Sequence, residues 1–232
     1  MANELVYASL AGVLPALVWL WYWLREDRRS PEPKGLIART FLLGMLATLI
    51  AIPMQKEVLK IFPELFITQI IIWAMLEEVL KLCAGYFGGL RSPEDNEPID
   101  PLIYMITAAL GFVAMENTLF VLSSIYKSDL INTIVTGNTR FIGASLLHVI
   151  ASGTIGALLA FTFYKPRWVK TILAVLGVAL SVLLHSLFNW SILEFGDAGL
   201  GFAFIGTWVG VAMLLLVFEV VKRVKRPPMA RL

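Results

Sequence analysis

Long blocks of apolar residues dominate the chain and are separated by short polar segments. An apolar stretch of about 20 residues is enough for an α-helix to cross a bilayer, whereas shorter stretches suit the core of a soluble domain. Seven blocks approach this length, and they predict seven transmembrane helices. Their approximate bounds are 5–24, 36–52, 65–87, 102–126, 141–164, 171–195 and 200–221.

Two local features bear on the first two blocks. Pro53 is expected to stop the second helix and to leave a short amphipathic linker over residues 55–63. The first block has Glu4 as the one charge ahead of it and no clear cleavage site, which indicates a retained helix rather than a signal peptide. No internal repeat is evident. The fold class expected is an all-α, polytopic transmembrane bundle, with residues 1–232 forming a single domain.

The overall composition agrees with a membrane protein. Hydrophobic residues make up 58% of the chain, charged residues 16%, and the mean hydropathy is +0.78. Soluble domains are about half apolar and about a quarter charged. The net charge of +2 gives no indication of a nucleic-acid partner, so the lipid bilayer is the expected environment. Cys83 is the single cysteine and therefore excludes an intramolecular disulfide.

Lysine and arginine are distributed unevenly over the connections between the predicted helices. The connections after the first, third and fifth helices and the C-terminal tail are rich in them. Basic loops remain in the cytoplasm, so we expect the N-terminus outside and the C-terminus inside. The opposite connections hold only Lys56, Lys60, Lys127 and Arg140.

Ionisable side chains lie within four consecutive predicted helices. A hydrogen bond between membrane helices contributes about 0.6 kcal/mol on average, whereas a buried unpaired charge costs several kcal/mol. Helix packing alone therefore does not account for three carboxylates, one ammonium and two imidazoles at membrane depth. The candidate site residues are Glu77, Glu78, Lys81, Glu116, His148, His185 and, one turn after His185, Asn189.

These residue types restrict the chemistry. Glutamate and neutral histidine either activate water or hold a zinc ion, and both routes can hydrolyse an amide. Chains of buried Glu and His also form proton relays, so a proton-coupled transporter is an alternative, as is a membrane protein that binds a partner and confers immunity. No inverted repeat supports the transporter.

Four ordered motifs carry a resemblance to a known family. The third helix reads EExxK from Glu77, the fourth reads FxxxEN from Phe112, the fifth carries His148, and the sixth reads HxxxN from His185. In this order they resemble the PrsW family of intramembrane proteases, and the segment 27–33, which ends in Pro-Glu-Pro, resembles that family too. That family is distantly related to the CAAX-protease and bacteriocin-immunity superfamily, from whose motifs this chain departs at Lys81 and Glu116.

The resemblance implies an activity and a location. It implies an intramembrane endopeptidase of the bacterial cytoplasmic membrane that cuts a single-span membrane protein, such as an anti-sigma factor. Three ionised carboxylates and one ammonium leave a net charge of −2, which a low-dielectric site does not tolerate without protons or a divalent cation. A metal-free site is favoured by analogy with the CAAX group, and zinc held by the Glu/His cluster is the alternative.

The same resemblance suggests roles for the candidate residues. Glu77 is expected to act as the general base, and Glu78 with Lys81 as a supporting ion pair, although the two glutamates could exchange roles. Glu116 would share the water or its proton. His148 would act as the acid or as a second contact to the water, and His185 and Asn189 would stabilise the oxyanion.

Overall fold

A computed structural model describes residues 2–126 and 143–225 of the chain. The residues between these ranges include Lys127, Arg140 and the predicted start of the fifth helix at Phe141, which therefore lie outside the described residues. The described part is helical and contains no strand. Its first five α-helices are α1 (Ala2–Leu24), α2 (Lys34–Ile61), α3 (Phe66–Gly85), α4 (Asp100–Tyr126) and α5 (Ser145–Phe161).

The remaining helical segment, Arg167–Val221, reverses direction at Gly196. Gly196 has φ 54° and ψ −126°, a backbone conformation that glycine adopts without the steric cost of a Cβ. The two arms are α6 (Arg167–Gly196) and α7 (Ala198–Val221). On α5, Ile155 contacts Gly177 of α6, whereas Ile150 contacts Gly210 of α7. Within residues 2–126 and 143–225 the seven predicted helices are thus present, and that all seven cross a membrane stays a prediction.

Five of these helices, α1, α2, α4, α6 and α7, are long and apolar enough to cross a membrane. The other two differ from them for identifiable reasons. Helix α3 carries Glu77, Glu78 and Lys81, and the described part of α5 is apolar but has 17 residues. Long apolar helices of this kind identify an integral membrane protein.

The prediction that Pro53 ends the second helix is wrong. Helix α2 continues through Pro53 as far as Ile61. A proline removes one backbone hydrogen bond, and membrane helices tolerate this loss when neighbouring groups stabilise the backbone. Here α3 packs along the continuation, and the indole of Trp73 donates a hydrogen bond of 3.2 Å to the carbonyl oxygen of Gln55. The expected linker is therefore two more helical turns that face α3.

Helix α4 is the centre of the bundle. In its most apolar window 72% of the residues are buried, against 22% for α1, α6 and α7. It packs against α1, α2 and α5. The contact with α2 is close because Gly44 lies against the backbone of Ala108, and one turn later the Thr48 hydroxyl donates 2.8 Å to the carbonyl of Phe112. This central position allows α4 to carry polar groups at both of its ends.

The basic connections lie together at one end of the bundle. Lys222, just after α7, forms an ion pair of 2.7 Å with Glu26, just after α1. Beside it the rings of Trp23 and Phe218 stack with centroids 5.6 Å apart. The helices therefore alternate in direction as the loop charges require. Which end faces the cytoplasm remains a prediction.

The contact between α2 and α4 generates a test. Replacing Gly44 by Ala places a Cβ on the Ala108 carbonyl oxygen, so the helices must separate. We expect this variant to lose about 1–3 kcal/mol of stability, the usual cost of overpacking. Thermal unfolding in detergent measures the loss.

Gly35→Ala is the matched control on the same helix, because a Cβ at that position meets nothing within 4 Å. It should leave stability unchanged or raise it by up to about 1 kcal/mol through helix propensity. Equal unfolding temperatures for the two variants would contradict the close contact.

Candidate active site

Four helices carry charged or titratable side chains to one buried cluster. Helix α3 contributes Glu77, Glu78 and Lys81, while α4, α5 and α6 contribute one residue each. Residues three positions apart share one face of a helix, whereas adjacent residues lie about 100° apart. Glu78 and Lys81 therefore project together, and Glu77 projects to a different side. The single contributions are Glu116, His148 and His185.

The Glu78 carboxylate has polar contacts with three other side chains. Its Oε1 atom lies 2.5 Å from the Lys81 ammonium and 2.8 Å from Nδ1 of His185. Its Oε2 atom accepts a hydrogen bond of 3.2 Å from the hydroxyl of Ser152. Both Glu78 and Lys81 are 0% exposed. Three donors from α3, α5 and α6 thus surround one carboxylate, which suits its ionised form.

Lys81 also fixes the ring of His148. The ammonium lies 2.7 Å from His148 Nδ1 and 4.9 Å from the centroid of the Phe112 ring. An ammonium is a donor and never an acceptor, so Nδ1 accepts and the ring proton belongs on Nε2. The Nε2 atom lies 3.3 Å from Oε2 of Glu116, which is the acceptor that this tautomer needs.

His185 has the opposite arrangement. Its Nδ1 atom donates to Glu78, so Nε2 keeps its lone pair and lies 3.8 Å from Oε2 of Glu77. A carboxylate that binds the far nitrogen of a histidine is the usual support for a metal ligand. The rings of His148 and His185 meet edge to face, with centroids 4.9 Å apart.

Glu77 has one satisfied and one unsatisfied oxygen. Its Oε1 atom accepts a hydrogen bond of 2.8 Å from the Gln55 amide. Its Oε2 atom is buried without a hydrogen-bond partner among the described residues, and it lies 4.0 Å from Nδ1 of His148. A buried polar atom of this kind indicates an unrecorded water, ion or functional role. Glu77, His148 and His185 each offer a ligand atom within 4.8 Å of the other two.

A cavity of about 870 Å³ opens onto this cluster. Its walls are mostly apolar and come from α2, α3, α4, α5 and both sides of the Gly196 bend. Asn189, one turn after His185, lines the cavity, so all seven predicted site residues lie in or beside the cluster. The polar groups of the wall are Gln55, Glu77, Glu116, His148, His185 and Asn189.

Sequence reasoning missed two polar contacts in this cluster. Gln55 was assigned to a linker because Pro53 was expected to end its helix, and no sequence signal connects it to Glu77. Ser152 stands outside the motifs that identify the other site residues. Its position four residues after His148 puts it on the same helical face, and that spacing could have identified it.

Comparison with known proteins decides the family. The sequence profile described as "PrsW family intramembrane metalloprotease" matches residues 32–221, which include every residue of the cluster. The chain belongs to the PrsW family. It is therefore a protease, and the resemblance drawn from the motifs is confirmed.

Individual PrsW proteins match over most of their length. Protease PrsW of Geobacillus kaustophilus is 27% identical over 225 residues, which cover 93% of this chain and 90% of that protein. Protease PrsW of Halalkalibacterium halodurans is 25% identical over 189 residues, or 77% of this chain and 80% of that protein. Protease PrsW of Bacillus subtilis is 24% identical over 185 residues, or 78% of each chain. No solved structure matches the chain.

The buried ion pair generates a stability prediction. Lys81→Met leaves the Glu78 carboxylate without its ammonium at a site with no exposure, so we expect a loss of about 3–5 kcal/mol. The double variant Glu78→Gln with Lys81→Met removes both charges and should be more stable than Lys81→Met alone. Thermal unfolding of the purified variants gives both comparisons.

Lys60 and Glu57 provide a control with the same three-residue spacing. They also form an ion pair, at 2.7 Å, but their side chains are 69% and 62% exposed. Lys60→Met should cost less than about 1 kcal/mol, because water already screens the pair. Similar losses for the buried and the exposed lysine would show that burial does not determine the strength of these pairs.

Proposed function

We propose that this PrsW-family protease hydrolyses a peptide bond of a single-span membrane protein, for which an anti-sigma factor is the candidate substrate, in the bacterial cytoplasmic membrane. The observation that carries the proposal is the unsatisfied Glu77 oxygen, which faces two histidines at the end of an apolar cavity. The apolar wall suits a substrate segment that comes from the membrane. The polar end supplies groups that can act on water and on a carbonyl.

The donor set fits a zinc ion. Glu77, His148 and His185 would hold it, since one carboxylate and two imidazoles form a typical catalytic zinc site with an open position, and the ion would take the place of the Lys81 ammonium at the lone pair of His148 Nδ1. A divalent cation would also neutralise the net charge of −2 that the cluster carries when its three carboxylates are ionised. A zinc ion at this site would polarise the scissile carbonyl and make water more acidic. We therefore replace the metal-free interpretation with a zinc-dependent one.

The zinc-dependent interpretation changes the expected roles of Glu77 and Glu116, the two carboxylates that line the cavity. Glu77 becomes a ligand, and Glu116 becomes the group that takes a proton from the attacking water. Glu116 suits this role because it lines the cavity, has a side chain 19% exposed, and lies 3.3 Å from His148 Nε2. The proton that Glu116 accepts can then be given to the leaving amine. The Asn189 amide, on the cavity wall, would donate to the developing oxyanion.

Glu78 and Lys81 position these groups and do not contact substrate in this proposal. Glu78 holds the tautomer of His185, and Lys81 is the cation that pairs with Glu78. Ser152 donates to the other oxygen of Glu78. Fixed rotamers at the acting groups lower the cost of reaching the productive geometry.

The depth of the cluster favours access from the outer side. Glu116 lies about 16 residues after the start of α4 and His185 about 18 residues after the start of α6, or about 24 and 27 Å at 1.5 Å per residue. Both helices begin at the end that carries the basic connections. In a core about 30 Å thick, the cluster is therefore nearer the end that is predicted to be external.

Cleavage of a candidate single-span protein by reconstituted enzyme tests the proposed site. Glu77→Gln and His185→Ala should abolish cleavage and lower the bound zinc, whereas Glu116→Gln should abolish cleavage and keep the zinc. Asn189→Ala should slow cleavage by about 100- to 1000-fold, because one oxyanion donor contributes about 2.7–4 kcal/mol. Peptide products and metal content are measured on the same samples.

Glu57→Gln, an exposed carboxylate on α2, is the control and should cleave normally. Full cleavage by zinc-stripped enzyme would overturn the zinc-dependent version and restore the glutamate-type one. Full cleavage by Glu77→Gln would overturn the assignment of the site. Ion flux without peptide products would favour a transporter.

Thiol labelling tests the side from which the cavity opens. In a Cys83→Ser background, Ala144→Cys places a thiol on the cavity wall one turn before His148. An impermeant thiol reagent added from outside should label it. Ser92→Cys, in the connection between α3 and α4, should be labelled only from the cytoplasmic side. The reverse pattern would contradict both the predicted orientation and external cleavage.

A further inference from the structure

A second group of acidic side chains lies at the opposite end of α4. Asp27 follows α1, Glu32 lies in the connection to α2, and Asp100 begins α4. Each offers an oxygen within 4.8 Å of the other two. Asp27 is 4% exposed and Asp100 is 1% exposed, so these are not surface acids that happen to be neighbours.

The contacts of this acidic cluster leave one buried oxygen unsatisfied. Asp100 Oδ2 accepts the backbone N–H groups of Asn96 and Glu97, at 2.8 and 2.6 Å. Asp100 Oδ1 is buried and accepts no hydrogen bond from the described residues. Glu32 accepts a hydrogen bond from the hydroxyl of Tyr104, and its own backbone N–H donates to Asp27. The backbone thus fixes Asp100 and leaves one of its oxygens open to a ligand.

In the described part of the chain, residues 2–126 and 143–225, no lysine or arginine side chain is paired with the acidic cluster. Lys170 is near enough to influence Asp95, a fourth acid close to the cluster. Burying several like charges together is unfavourable unless protons or a cation neutralise them.

We propose that Asp27, Glu32 and Asp100 bind one hard divalent cation, such as Mg²⁺ or Ca²⁺, that fastens the connection between α1 and α2 to the start of α4. An all-oxygen set of carboxylates is what these ions select, and the observed separations are within the span of ligands around one ion. The set lacks histidine, which distinguishes it from the zinc ligands proposed for the active site.

This cation would be structural rather than catalytic. About 16 residues of α4, or about 24 Å, separate Asp100 from Glu116. The ion would join α1, α2 and α4 at the end where the basic connections lie. Because the ion would bind the folded chain and not the unfolded chain, a higher ion concentration would raise the free energy of unfolding.

Protons are the competing ligands. Protons can neutralise the three carboxylates when no cation is bound, and a binding cation would release them. Direct measurement of metal binding therefore distinguishes a cation site from a cluster whose carboxylates only share protons.

Paramagnetic Mn²⁺ is a suitable probe, because free and bound ions give different electron paramagnetic resonance signals. We expect chelator-treated full-length protein to bind Mn²⁺ at this site, with competition from Mg²⁺ or Ca²⁺. Asp100→Asn and Glu32→Gln should each weaken binding at least about tenfold, since each removes one ligand charge. The cation should raise the unfolding temperature of the wild type and not of these variants.

Two controls locate the effect. Glu94→Gln removes an exposed carboxylate from the connection between α3 and α4, a few residues before Asp100, and should bind Mn²⁺ as the wild type does. Glu77→Gln removes an active-site carboxylate and should keep this binding as well. Absence of Mn²⁺ binding, or equal loss in Glu94→Gln, would overturn the proposal. Stabilisation by Asp100→Asn at every cation concentration would show instead that the carboxylates share protons.

Discussion

The neutralisation of one buried carboxylate organises the described bundle. Glu78 has no exposure, and removing such a group from water is costly unless donors replace the water. Its donors come from its own helix through Lys81, from α5 through Ser152 and from α6 through His185. Three helices must therefore approach one point, and α4 fills the space beside it with the Phe112 ring. The polar interior of the protein is built around this requirement.

The burial of Glu78 among donors also places the two adjacent glutamates in different surroundings. Because neighbouring helical positions point about 100° apart, Glu78 faces the packed interior while Glu77 faces the cavity. Both oxygens of Glu78 accept hydrogen bonds inside the bundle, whereas Glu77 keeps one oxygen without a hydrogen-bond partner among the described residues, beside two histidines. The two adjacent glutamates thus have different surroundings, because Glu78 is packed among donors and Glu77 lines the cavity.

Helix α4 connects this cluster to the acidic cluster at its other end. It is the most buried of the candidate membrane spans, so its polar residues depend on partners from α1, α2 and α5. At one end Glu116 meets His148, and at the other Asp100 meets Asp27 and Glu32. Both clusters contain a buried carboxylate oxygen without a hydrogen-bond partner among the described residues, and in both the carboxylates outnumber the protein cations. The same electrostatic argument therefore leads to a divalent cation at each.

The sequence by itself determined the helical class, the seven helices, the residues that meet at the cluster and the family. Length, hydropathy and motif spacing are local properties, so these conclusions need no knowledge of packing. Only the tertiary structure decided that α2 continues through Pro53, that Gln55 reaches Glu77, and which glutamate is saturated. It also brought Asp27 and Glu32 to Asp100 from a distant part of the chain. These outcomes depend on which side chains satisfy one another across helices, and spacing along one helix carries no information about that.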